Sequence, residues 1–133
     1  MKKIIWLLAA LLAAGCTAGC AADGERPAME YAASSIRSDI PVPKEANERM
    51  LAAPFDNPAL VKGARYELRN IGGEQGLYPP SDYLQKLEEE GWKESKEERL
   101  GHMHLFEKDG TRIAVTVHEH YFDIYELAPA AGR

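Results

Sequence analysis

The segment SDYLQKLEEEGW, residues 81–92, is the strongest constraint on what this chain can fold into. Tyr83, Leu84 and Leu87 fall on one side at helical spacing. Ser81 is a favoured N-cap residue, and Asp82 suits the positive end of a helix dipole. Gly91 stands where a left-handed C′ residue belongs, and Trp92 where a C″ residue packs back on Leu87. Glu88, Glu89 and Glu90 oppose the dipole at this end and read as a solvated outer face. The stretches around this helix have a different period. In GARYELRN, Ala64, Tyr66 and Leu68 alternate with Arg65, Glu67 and Arg69, the pattern of a half-buried strand. Residues 103–107 and 111–118 flank Lys108-Asp109-Gly110, a hairpin signal. YFDIYEL (121–127) alternates again and closes the sheet, and the polar run 93–99 reads as an edge strand. The expectation is therefore an α+β fold, a small antiparallel sheet of about four strands with one covering helix, in strand-helix-strand-strand-strand order.

A folded part of ~70 to 85 residues is marginal for independent folding, so Tyr66, Trp92, Phe106 and Phe122 are expected core anchors. The loop IGGEQGLYPP carries glycines at 72, 73 and 76, but no Lys-Ser or Lys-Thr pair follows. It therefore lacks the signature of a phosphate cradle.

The chain opens MKKIIWLLAALLAAGC: two lysines, an uncharged apolar run over 4–14, then Gly15 and Cys16. That run is far shorter than the ~20 residues a bilayer-spanning helix needs. A basic start, a short apolar run and small residues before a cut point describe a secretory signal. Leu12-Ala13-Ala14-Gly15-Cys16 resembles the lipobox of bacterial lipoprotein signal peptides. The resemblance implies cleavage after residue 15, a diacylglycerol on the Cys16 thiol and acylation of the new amino terminus. Ala13 departs from the pattern, which more often has leucine there. Thr17-Ala18-Gly19-Cys20 is a second, poorer match, and Cys20 is left as a spare thiol. A Cys16–Cys20 disulfide would close a tiny loop and stabilise little, and no His or Cys lies near enough to complete a zinc site. The implied location is the extracytoplasmic face of a cell membrane, held by acyl chains worth ~0.8 kcal/mol per buried methylene.

From residue 16 to 57 the pattern is irregular and punctuated by Pro27, Pro41, Pro43 and Pro54, which interrupt any long helix. Its first half reads as a flexible spacer lifting a domain off the bilayer, and its second half as less loose. Within it, Ile40-Pro41-Val42-Pro43 is apolar and extended, and residues 46–53 suit a short helix with Met50 and Leu51 turned inward. The organisation expected is a signal peptide (1–15), a lipidated cysteine and tether (16–57), an α+β domain (58–128) and a disordered tail (129–133). Small domains of this pattern are similar to those of many bacterial lipoproteins of undefined role, the matching residues being Gly91-Trp92 and the run from Phe106 to Gly110. That resemblance implies no active site.

The formal net charge is −5. Without Lys2 and Lys3, 14 basic residues face 21 acidic ones, a net −7. An acidic chain has no footprint for nucleic-acid phosphates and is repelled by anionic headgroups. The histidines form two pairs, His102/His104 and His118/His120, and residues two apart share a strand face. A three-residue turn with Gly110 in a bulge would pair Leu105 with Ile113 and Met103 with Val115. It would put Met103 and Leu105 on the apolar face, and His102 and His104 on the other, with His118 diagonal to His102. A two-residue turn would reverse those faces. The sharper alternative, in the first register, is a surface site for Zn²⁺, Ni²⁺ or Cu²⁺ made by His102, His104 and His118 and completed by His120 or Glu98. The preferred reading is that these histidines occupy an exposed strand face or cap strand ends near Gly101 and Tyr121, and no metal is expected. No cofactor is indicated, and no nucleophile elbow frames a serine. The function expected is a non-enzymatic, membrane-anchored binding lipoprotein whose partners are the bilayer and an envelope protein. A metal-binding lipoprotein and a small hydrolase are the alternatives.

Overall fold

The computed structural model describes residues 28–129. The signal peptide, Cys16, Cys20 and most of the expected tail lie outside them. The strands are β1 (Tyr31–Ala33), β2 (Pro41–Pro43), β3 (Asn47–Met50), β4 (Leu60–Glu67), β5 (Lys93–Glu94), β6 (Met103–Lys108), β7 (Thr111–Val117) and β8 (Tyr121–Leu127). Among the described residues one α-helix, α1 (Ser81–Glu89), lies between β4 and β5. A two-stranded sheet joins β1 and β2, and a six-stranded antiparallel sheet runs β3-β4-β8-β7-β6-β5. The α+β class stands. The sheet has six strands rather than about four: β3 adds one edge, and the edge strand expected over 93–99 forms only as the two-residue β5, followed by a 3-10 turn at Lys96–Glu98. The last strand, expected to close the sheet, lies inside it between β4 and β7.

The helix ends as its residues require. Trp92 N–H donates to Leu87 O at 3.0 Å and Gly91 N–H to Glu88 O at 3.0 Å, the paired bonds of a Schellman stop. Its start differs from expectation. Pro80 occupies the N-cap and Ser81 is already helical, with no side-chain cap. Proline is tolerated there because the first amides have no partner within the helix.

One sheet face is the core. Across it Tyr66 faces Phe122 and Phe122 faces Val117, while Ala64, Ile124, Val115 and His104 form the next row. The ring of Tyr83, from α1, lies 4.9 Å from that of Phe122, and Leu87 and Trp92 are fully buried beside it. The four expected anchors, Tyr66, Trp92, Phe106 and Phe122, are all buried.

The described part of the expected tether is folded. Ile36, Ile40 and Val42 belong to the core cluster, and every residue of β2 is buried. Tyr31 stacks on Tyr83, and Ser34 shares a hydrogen bond with the hydroxyl of Tyr66. Burial pushes that phenol up to about 12. The domain therefore begins well before residue 58. Proline punctuation, which argues against a helix, is compatible with a short edge pair such as β1-β2. Residues 47–50 are likewise strand rather than helix, and Met50 is half exposed instead of turned inward.

The hairpin between β6 and β7 takes the two-residue turn. Lys108 pairs with Thr111, Phe106 with Ile113 and His104 with Val115, and Asp109 and Gly110 both have positive φ (49° and 78°). Asp-Gly favours that left-handed pair, whose twist matches the strands it joins. This overturns the expected register. Phe106 and His104 face the core, and Met103 and Leu105 face away.

Candidate functional site

The reversed register separates the histidines. His104 is buried, and its Nδ1 donates to Glu94 Oε1 at 2.8 Å. Glu94 also accepts Arg99 Nε and Nη2 at 3.0 and 2.6 Å. Burial by itself would raise the Glu94 pKa, but the hydrogen bonds from His104 and Arg99 outweigh it and hold the carboxyl below its ordinary value. His118 lies on the other sheet face, its ring stacked 4.3 Å from that of Tyr121. Burial lowers the His118 pKa; Asp123 opposes this, while Arg65 and His102 reinforce it. His102 Nδ1 donates to Gly76 O at 2.9 Å, and His120 Nδ1 accepts Asn70 N–H at 3.2 Å. Glu98 pairs with Arg112.

The metal site drawn from His102, His104 and His118 with His120 or Glu98 is therefore not assembled, since the sheet stands between His104 and His118. Among the described residues no group of three or more His, Cys, Asp or Glu side chains has metal-holding geometry. The glycines of the loop after β4 serve packing. A Cβ on Gly72 would lie 2.2 Å from His118 O, and Gly72 N–H donates to Glu119 O at 3.2 Å.

The Glu94 network predicts a pH signature. A carboxylate whose pKa is lowered by folding stabilises the fold above its unfolded value of about 4.3, and loses that contribution as pH falls through the folded value. Glu94→Gln should cost about 1–2 kcal/mol near neutral pH, with the gap from the parent closing toward pH ~3. Urea unfolding across that pH range measures it. A gap independent of pH would assign the loss to packing instead.

The sheet face away from α1 carries a different constellation. Arg65 faces Asp123, Asp123 faces Thr116 and Thr116 faces Met103, one row across four strands. The next row is Gly63, Tyr125, Ala114 and Leu105. Arg65 holds Asp123 with two bonds, Nε to Oδ1 at 2.7 Å and Nη2 to Oδ2 at 2.8 Å. The Arg65 guanidinium also lies 4.0 Å from the Tyr121 ring centroid. Its pKa is raised, chiefly by the bond to Asp123. The Tyr125 ring lies over Gly63, where a Cβ would come within 2.7 Å of Cδ1, and meets Phe55 edge-on at 5.6 Å. Met103, Leu105, Tyr121 and Tyr125 stay half-buried around the ion pair.

Sequence reasoning places Arg65 on a polar strand face but misses its partner. The pairing spans 58 residues and appears only once β8 lies beside β4. A hollow of about 550 Å³ lies at the amino-terminal end of α1, lined by Met29, Arg69, Tyr78 and Asp82 among others.

Fold and surface together define a small α+β module, with a helix on one sheet face and an aromatic and apolar surface built around an ion pair on the other. Comparisons with protein-family models, curated proteins and solved structures find no match to this chain.

Proposed function

We propose that this protein is a membrane-anchored lipoprotein of the cell envelope that acts by binding, with Cys16 as the acylated residue. The leader and its Leu-Ala-Ala-Gly-Cys ending support the anchor. Among the described residues no helix is long and apolar enough to cross a membrane. The observation that carries the binding role is the sheet face around Arg65–Asp123. There Met103, Leu105, Tyr121 and Tyr125 combine apolar area with polar tips, the composition that interfaces favour. Confinement to a membrane raises effective concentration toward neighbours, so modest contacts suffice.

The test has two parts. Mass spectrometry of the mature protein should find residue 16 at the amino terminus carrying acyl chains, and Cys16→Ser should move the protein from the membrane to the soluble fraction. A photo-crosslinking residue at Tyr125 in intact cells should then yield a discrete adduct with an envelope protein, while one at Glu88 on the exposed side of α1 should not. An unmodified Cys16 sinks the anchor. Equal labelling from both positions sinks the binding face.

A further inference from the structure

The hollow at the start of α1 is also where the described chain begins. Ala28 and Met29 line it together with Tyr78 and Pro79. Leu77 is 61% exposed, Tyr78 66% and Met29 36%. Scattered apolar residues on a surface are ordinary. Met29 and Tyr78 line the same hollow, Leu77 precedes Tyr78 in the chain, and the loop that bears the latter two is held in place. Tyr78 N–H donates to Gly72 O at 2.9 Å, and Leu77 N–H to Glu74 O at 3.1 Å. Through Gly72 N–H and Glu119 O the loop is also fastened to the turn between β7 and β8. Its apolar side chains are thus presented outward by backbone bonds formed in advance, which lowers the ordering cost of any contact they make.

Residues 17–27 separate Cys16 from Ala28. Even fully extended, that length of chain reaches only about 40 Å. With the acyl chains of Cys16 in a bilayer, the root of the tether stays within that distance of the lipid, and the apolar patch adjoins the root. We propose that Met29, Leu77 and Tyr78 form a bilayer-docking patch that seats the domain on the lipid surface beside its own anchor. Leucine reaches the boundary of the acyl region, and tyrosine, apolar with a polar tip, suits the headgroup level. Glu45, Arg69 and Asp82 line the same hollow, and Glu74 is exposed in the loop. That surround is more acidic than basic. Attachment is therefore apolar, directed to zwitterionic lipid and insensitive to salt. This inference rests on the acylation of Cys16.

The experiment uses the full lipidated protein reconstituted in phosphatidylcholine vesicles with brominated acyl chains, comparing Tyr78→Trp with Val61→Trp. Val61 is exposed at the other end of β4 from Leu68, which lines the hollow. Native Trp92 is fully buried and gives a constant background. The added emission of Tyr78→Trp should shift to the blue on reconstitution and fall to roughly half or less with brominated lipid, as expected for a ring at the interface. That of Val61→Trp should not change. Vesicle-bound protein with neither position quenched overturns the docking patch and leaves the anchor intact. Equal quenching at both positions also overturns the patch. If the indole introduced by Tyr78→Trp is shielded from acrylamide without bromine quenching, the patch is assigned to a protein contact and the proposal is overturned too. Protein that fails to sediment with vesicles overturns the anchor, and the patch with it.

Discussion

Replacing Trp92 by alanine is expected to lower the unfolding free energy by about 3–5 kcal/mol, the range for truncating a fully buried large aromatic side chain. Three parts of the chain converge on this residue. Its backbone amide closes the helix on Leu87 O, and its indole N–H donates to Asp39 O at 2.9 Å. Arg37 and Lys108 approach the ring at 5.8 and 5.9 Å from its centroid. Alanine would leave a cavity and also an unpaired carbonyl on the strap between β1 and β2. Trp92→Phe separates the two effects, since it retains most of the apolar volume but removes the donor. Its cost should be about 1–3 kcal/mol, mainly for the stranded carbonyl. Urea denaturation with equilibrium analysis measures both. A cost near zero for Trp92→Ala would mean that the strap over residues 31–43 does not pack on the helix end. The same series therefore tests whether that segment belongs to the domain.

Arg65→Ala should be comparably severe, about 3–5 kcal/mol, because it leaves a buried carboxylate without its counter-charge. The asymmetry of the pair sets this expectation. The Asp123 side chain is only 6% exposed, whereas Arg65 is 27% exposed and keeps some contact with water. Asp123→Ala should accordingly cost less than Arg65→Ala. The double variant Arg65→Met, Asp123→Leu should recover most of the loss, since replacing both charges with apolar groups removes the desolvation penalty along with the attraction. Arg65→Lys should not rescue, because an ammonium cannot make the two parallel bonds or lie flat on Tyr121. Thermal and urea unfolding of the four variants decide the matter. Equal losses for both single alanine variants, with no recovery in the double, would show that packing and not charge governs the site.

The legibility of this fold follows the distance over which each decision is made. The helix is readable together with its stop, because Tyr83, Leu87, Gly91 and Trp92 lie within ten residues of one another and their meaning is local. Only its cap departs from the pattern, with Pro80 holding the position expected of Ser81. The strands at 60–67, 103–108, 111–117 and 121–127 are visible in their alternation. The register of the central hairpin is not. MHLFEK has two apolar residues on one parity, Met103 and Leu105, and one on the other, Phe106. Counting apolar residues favours the wrong face. The Asp-Gly turn, with both residues left-handed, decides otherwise and buries Phe106 together with His104. One residue of slip moves every side chain of β6 to the opposite face and separates the histidines that the other register would group.

The chain order alone settled where the helix begins and ends within a residue or so, that the stretches 60–67, 103–108, 111–117 and 121–127 are extended, that Tyr66, Trp92, Phe106 and Phe122 are buried, and that the charge balance is acidic. These are properties of neighbours along the chain, governed by backbone preference and side-chain period. Which face each strand presents, the place of β8 inside the sheet, the recruitment of residues 31–50 and the meeting of Arg65 with Asp123 were decided only by the folded whole. Each of those requires distant segments to close on one another, and closure is favourable only when all of their apolar surfaces are buried at once.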